Sequence, residues 1–263
     1  MDSTVQYTLD GGVASVTLNR PEKRNALTRA LLEQLQRVVD ELSQDESLRV
    51  LILSSRGPAF CAGMDLGEMQ ERTQADDPQA EWSRDSQVYA QLLEAIYNLP
   101  VPTLASIPGP ALAGGMGLML ACDLAIASEE AFFALPEPAR GITAAMVSPL
   151  LIHRVGYGAA RYLLLSGQRV TAQKAMEMGL VHECVSHDEL ATRTAAITHS
   201  ILTGAPSAMF LTKKHIDQCA GARMSEQLRQ SIEISAKARR TEDAREGLRA
   251  FLEKRDPLWK PIA

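Results

Sequence analysis

The feature that most constrains this chain is a change of periodicity near Asp188. Before it, short apolar runs that read as strands alternate with apolar residues at helical spacing. Beyond it come three helical patterns, about 189–203, 207–219 and 225–253, and no strand candidate. Helices that have no sheet of their own must lay their apolar faces on some other surface. The expectation is therefore an α/β core over 1–187 and a helical segment over 188–263 that packs on the core or on a neighbouring subunit.

Within the core, alternating residues in Val5 to Leu9 and Val13 to Leu18 flank Asp10-Gly11-Gly12 and predict a hairpin. Leu31, Leu32, Leu35, Val38, Val39 and Leu42 recur at helical spacing after Thr28, and the run Val50 to Leu53 predicts a buried strand. The polar stretch Glu68 to Gln87, with Asp77-Pro78 as a breaker, reads as a mobile loop. A helix over about 88–99 ends before Pro100. Thr103 to Ile107, Leu124 to Ala127 and Ala131 to Phe133 read as strands, and a helix from Ser148 to about Ser166 is interrupted at Gly156 and Gly158. Thr171 caps a brief helix, and Pro206 suits a first helical position.

Composition excludes several classes of function. With 46% hydrophobic and 22% charged residues, 263 residues suffice for one large core. A net charge of −5 without a basic run offers nothing to neutralise a phosphate backbone, so no nucleic-acid partner is expected. No window reaches the roughly 18 apolar residues that a membrane span needs, and the first residues lack a basic, then apolar leader. The four cysteines show no zinc spacing and the five histidines no ligand pair, so the expectation is a cytoplasmic protein with neither membrane nor metal partner.

Two loops place small residues directly after extended segments, Phe60 to Leu66 and Gly109 to Gly117. Small residues let a ligand approach the backbone closely. Gly114 and Gly115 also precede an apolar helical run, where free N–H groups and the helix dipole favour developing negative charge. Half of an oxyanion-binding site is the functional reading of that loop; tight packing is the bland one.

The combination is more specific than either loop. F-C-A-G-M-D-L, then G-P-A-L-A-G-G-M-G-L with A-C-D after it, then Pro136-Glu137, resembles the crotonase, or enoyl-CoA hydratase/isomerase, family. The likeness extends to Asn19-Arg20-Pro21, to Asn25-Ala26-Leu27, to Ala172 through Val181 and to Glu246 through Arg255. It implies an α/β spiral of strand-strand-helix turns, with a C-terminal helical segment that caps the active site and builds homotrimers or dimers of trimers. It further implies an acyl-CoA thioester as substrate, with coenzyme A entering as part of it and no other cofactor.

By motif position, the resemblance puts the two oxyanion donors on the backbone N–H groups of Met64 and Gly114, and a catalytic carboxylate on Glu137. Contacts to CoA or substrate fall on Lys23, Arg24, Ala26, Ala62, Asp65, Leu66, Gly115, Phe251 and Lys254. The second glutamate of the family's hydratases would occupy position 117, which here is Gly117. Its loss leaves one carboxylate, which suffices to shuttle a proton between two carbons, as the family's isomerases do. The stretch Arg140 to Pro149 resembles instead a branch that hydrates branched or carboxylated, glutaconyl-type enoyl chains. Hydration of a 2-enoyl-CoA is the leading expectation, isomerisation from a 3-enoyl-CoA the alternative, and a non-catalytic acyl-CoA-binding protein the reading from another class. Arg140 or Arg84 is a candidate for binding a substrate carboxylate. Asp65 and Asp123 also read as local turn-holders, Glu68 and Glu71 as loop charges able to swing inward, and the methionines near the loops as lining of an acyl tunnel.

Overall fold

The computed structural model describes residues 3–221 and 223–260; Met1, Asp2, Ala222 and the last three residues, all within the expected segment boundaries, lie outside it. The chain opens with the hairpin β1 (Val5–Asp10) and β2 (Val13–Leu18). Helix α1 (Arg29–Ser43) starts where the Thr28 side chain accepts from the Leu31 N–H, and it buries the stripe from Leu31 to Leu42. Strand β3 (Val50–Ser55) follows, then α2 (Leu66–Arg72), α3 (Pro78–Tyr97), β4 (Thr103–Ile107), β5 (Ala111–Leu112) and α4 (Gly114–Ala121). Next come β6 (Leu124–Ser128), β7 (Phe132–Ala134), α5 (Val147–Ser166), β8 (Val170–Thr171), α6 (Ala172–Glu177) and β9 (Glu183–Val185). The tail is α7 (Leu190–Leu202), α8 (Pro206–Ala220), α9 (Met224–Ala238) and α10 (Glu242–Leu252).

The strands form two sheets, one ordered β1-β2-β3-β4-β6-β9 and one ordered β5-β7-β8. Apart from the β1–β2 hairpin, every pair in the larger sheet is parallel, so each strand connection crosses over and carries a helix or loop to one side. This is the mixed α/β spiral with C-terminal helices. Strand β4 is buried at every position, as a strand covered on both faces must be. Among the described residues no helix is long and apolar enough to cross a membrane.

Most of the stretch 68–87 is helical, in α2 and α3 with a turn over 73–77 between them, which corrects the expected mobile loop. Asp77 and Pro78 begin α3 instead of breaking the chain: the Asp77 carboxylate accepts from the Ala80 N–H, and Pro78 occupies a first-turn position where its missing N–H is harmless. The polar faces are held by ion pairs. Glu68 bonds Arg72 at 2.9 Å one turn on, while Arg29 of α1 bonds both Glu81 and Asp85. Helix α5 breaks at Gly156 (φ 74°) and not at Gly158. The short strands β5, β8 and β9, which have no clear alternation of their own, were not foreseen.

The tail is anchored on the core. The buried hydroxyls of Ser106 on β4 and Thr194 on α7 bond at 3.0 Å, and Ser86 on α3 bonds Ser235 on α9 at 3.1 Å. Helix α10 lies on α2 and on the 3-10 turn Pro138–Arg140. Helix α8 differs, burying none of its described residues and exposing Phe210, Leu211 and Ile216.

Candidate active site

Two single-residue bridges bring the small-residue loops together: Leu27 pairs with Met64, and Cys61 with Ala111. A Cβ at Gly63 would lie 3.1 Å from the Gly114 nitrogen and would collide with Ala113, so only glycine lets the two loops touch. Ala113 itself holds φ 50° and ψ −127°, a conformation costly for any residue with a side chain, at the point that aims the Gly114 N–H. Met64 and Gly114 line one cavity of about 50 Å³. Among the described residues neither N–H donates to a protein acceptor.

Glu137 lines the same cavity and is the one carboxylate among its described lining residues. It follows β7 and is framed by Pro136 and Pro138, and its carbonyl accepts from Arg140 N at 2.9 Å and Ile142 N at 3.1 Å. Gly141 ends this turn at φ 69°, against the Asp243–Ala244 backbone of α10, so the turn and the tail are pressed together. The Glu137 side chain is only 6% exposed, and among the described residues its Oε2 is buried without a hydrogen-bond partner. Burial disfavours its charged form and pushes the pKa up to about 7, against the smaller pull of its own backbone N–H and of Arg140. A carboxyl so poised can accept a proton and return it near neutral pH.

The position of the absent second glutamate is filled by Tyr89. A Cβ at Gly117 would collide with the Tyr89 hydroxyl, which donates to the Gly114 carbonyl at 2.5 Å and also lines the cavity. Burial, then the charges of Cys61 and Glu137, hold this phenol well above its ordinary pKa, so it remains neutral. Its oxygen keeps acceptor capacity while its proton is engaged. Tyr89 escaped sequence reasoning because it lies on α3, far along the chain from the loops; its place in the helical apolar spacing signals only burial.

The two arginine candidates separate. Arg140 lines the cavity, with its guanidinium 4.6 Å above the Phe251 ring, whereas Arg84 is exposed on α3 and lines no part of it. Arg239, which the sequence reading passed over, is buried in the cavity wall at the end of α9.

The remaining candidates lie as follows. Lys23 and Arg24 are exposed on the 3-10 turn Pro21–Lys23 and its cap, and the Arg24 carbonyl accepts from Ala62 N at 3.0 Å. Ala26 bonds back to Lys23 at 3.1 Å, and its carbonyl accepts from Arg20. Leu66 lines the cavity. Asp65 caps α2 and pairs with Arg20 at 2.7 Å, a job local to the fold; the ion pair and these bonds lower its pKa although burial opposes them. Gly115 packs against Cys61 and does not line the cavity. Phe251 and Lys254 are exposed at the end of α10. Glu68 is engaged by Arg29 N at 2.9 Å and by Arg72, Glu71 is exposed, and Asp123 holds Thr103 and Lys213. The Cys61 thiol donates to Asn25 O, and burial pushes its pKa up to about 12, too high for a nucleophile at neutral pH. Among the described residues no three His, Cys, Asp or Glu side chains gather as metal ligands.

Residues 8–261 match the family model for enoyl-CoA hydratase/isomerase. A candidate enoyl-CoA hydratase of Thermus thermophilus is 38% identical over 249 residues, covering 95% of this chain and 98% of that protein. The 2,3-dehydroadipyl-CoA hydratase of Escherichia coli is 33% identical over 249 residues, covering 94% of this chain and 95% of its own. The crystal structure of an enoyl-CoA hydratase from Mycobacterium avium superposes with a TM-score of 0.87 at 32% identity, covering 99% of this chain and 100% of the other.

Proposed function

The chain belongs to the enoyl-CoA hydratase/isomerase, or crotonase, family of enzymes acting on acyl-CoA thioesters, and from that premise we propose that it hydrates a 2-enoyl-CoA with a branched or glutaconyl-type chain. The observation that carries this reading is Glu137, a buried carboxyl with one oxygen unpartnered among the described residues, in the same small cavity as Met64 and Gly114, whose N–H groups donate to no described protein acceptor.

In this reading the thioester oxygen accepts from Met64 N and Gly114 N. Each such preorganised donor contributes about 2.7–4 kcal/mol where charge develops. Ionised Glu137 takes one proton of a water whose oxygen bonds to the β-carbon, and the π electrons move onto the thioester oxygen. Protonated Glu137 then returns that proton to the α-carbon, so one water is added and the carboxylate is regenerated. The Tyr89 oxygen accepts a hydrogen bond from the O–H that stays on the water oxygen, which supplies the orientation that the missing glutamate gives elsewhere in the family. Lys23, Arg24, Ala26, Ala62, Leu66, Phe251 and Lys254 make the CoA and substrate contacts, with no further cofactor, while Asp65 and Gly115 hold the two loops in shape. The exposed apolar face of α8 suits a homotrimer or a dimer of trimers, and the enzyme is assigned to the cytoplasm.

Gly117 favours a second reading, isomerisation of a 3-enoyl-CoA, in which Glu137 removes an α-proton and returns it to the γ-carbon without any water. Product masses from matched 2-enoyl-CoA and 3-enoyl-CoA panels decide. A gain of one water that disappears in Glu137→Gln establishes hydration; an unchanged mass with a migrated double bond establishes isomerisation. Neither product, and no α-proton exchange in deuterated water, would leave a non-catalytic thioester binder.

A further inference from the structure

The active cavity continues into a second, narrower one of about 20 Å³. The two share Leu66, Met69, Arg140, Ile142 and Arg239. The second holds neither Glu137 nor the two N–H donors and runs instead towards Trp82, Thr73 and Leu248. In the proposed reading, with the thioester oxygen at Met64 and Gly114, this junction is where an acyl chain that passes Glu137 finds further apolar lining. It is an apolar passage in which both shared polar side chains are cations.

Arg239 is 8% exposed, and the one hydrogen bond of its guanidinium among the described residues is a 3.3 Å donation to the Trp82 carbonyl. The acid whose charge it feels, Asp85, is already bonded to Arg29 and lies near Arg72. Arg140 has only the Phe251 ring over its guanidinium and the through-space charge of Glu137. Among the described residues neither guanidinium forms an ion pair. A buried guanidinium cannot shed its proton at any physiological pH, and it is costly unless something neutralises it. A volume of 20 Å³ accommodates about one water-sized group, the size of a carboxylate oxygen.

We propose that Arg239 and Arg140 form an anion subsite for the far carboxylate of a short dicarboxylic enoyl-CoA, with Arg239 as the specificity-determining residue. The assignment deepens the proposed function and rests on its placement of the thioester oxygen. The planar fork of Arg239 receives the two carboxylate oxygens, and Arg140, held flat by Phe251, closes the subsite from the side of the catalytic turn.

The test compares glutaconyl-CoA with 2-pentenoyl-CoA, equal in length and differing in the terminal carboxylate. Wild type is expected to prefer glutaconyl-CoA by at least about tenfold in kcat/KM, and Arg239→Met to lower that preference by about 10- to 150-fold, the range for losing hydrogen bonds to a charged group. Arg239→Lys, which keeps the charge and loses the fork, is expected to fall between them and guards against a misfolded Met variant. Calorimetric binding of the saturated pair glutaryl-CoA and pentanoyl-CoA needs no turnover. If neither enoyl substrate is hydrated but glutaryl-CoA binds wild type more tightly and loses that advantage in Arg239→Met, hydration fails and the subsite stands. Equal binding of the two saturated thioesters to wild type, or equal loss of both in the variants, overturns the subsite.

Discussion

Glu137 and Glu246 are 6% and 7% exposed, and their surroundings are opposite. Glu246, on α10, receives two bonds from Arg255, one from Arg249 and one from the Leu258 N–H. Those bonds, led by Arg255, pull its pKa down to about 2 although burial opposes them. Glu137 has a buried oxygen with no partner among the described residues, and its pKa rises to about 7. Burial alone therefore says little about what a carboxylate does. The satisfied glutamate ties the end of the tail to α10; the unsatisfied one is a cost to the fold that only chemistry in the cavity accounts for.

The largest expected effect separates the two directly. Glu137→Gln keeps the shape and removes the proton carrier, so kcat is expected to fall by about 10²- to 10⁴-fold, the usual contribution of a positioned acid or base. Steady-state kinetics on whichever thioester proves to be the substrate checks this. In wild type, kcat/KM should rise with pH through about 7 as Glu137 ionises, and that limb should vanish in the variant.

Stability should run the other way. Because the folded pKa of Glu137 is raised from 4.5 to about 7, the folded state holds a proton that the unfolded chain has lost. Its contribution is intact below about pH 4.5 and is lost as pH rises through about 7, which amounts to about 3 kcal/mol by linkage. Glu137→Gln should therefore be more stable than wild type at pH 8 by that order and little changed at pH 4, as denaturant unfolding would show. Glu246 has the opposite sign: its folded pKa is depressed, so its contribution is present above about pH 4.5 and is lost as pH falls through about 2. Glu246→Gln should lower the Tm at pH 7. Parallel pH profiles for the two variants would dissolve the contrast.

How much of this the sequence discloses depends on the range of the interaction. The hairpin, α1 with its Thr28 cap and the buried strand β4 follow from spacing that neighbouring residues share, and they are found where expected. The helices within 68–87 are hidden because their support comes from Arg29, 52 residues before Glu81 and 56 before Asp85, and a polar surface alone looks like a loop. At the site, the family resemblance names Met64, Gly114 and Glu137, and all three line one cavity. Tyr89 and Arg239 join them from α3 and the end of α9, and nothing local distinguishes them from an ordinary core tyrosine and a surface arginine. Only the packing of distant helices shows that the Tyr89 hydroxyl takes the space beside Gly117 and that Arg239 lines the cavity with no counter-ion among the described residues.

The smallest expected effect concerns that tyrosine. Tyr89→Phe keeps the ring and removes one hydroxyl, leaving the Gly114 carbonyl and any water beside Glu137 each short of one partner. A single neutral hydrogen bond is worth about 0.5–1.5 kcal/mol, so hydration should slow by about 2- to 13-fold. The loss should appear in kcat more than in KM, because in the proposed reading the hydroxyl orients the reacting water and does not bind the CoA moiety. If the enzyme moves a double bond instead, no water needs orienting, and the same variant should change kcat only through the Gly114 carbonyl, at the lower end of that range. A loss as large as that of Glu137→Gln would mean that Tyr89 carries a proton itself. Its strongly raised pKa argues against that role, since the phenol would have to surrender a proton that burial and the nearby charge of Glu137 both hold in place.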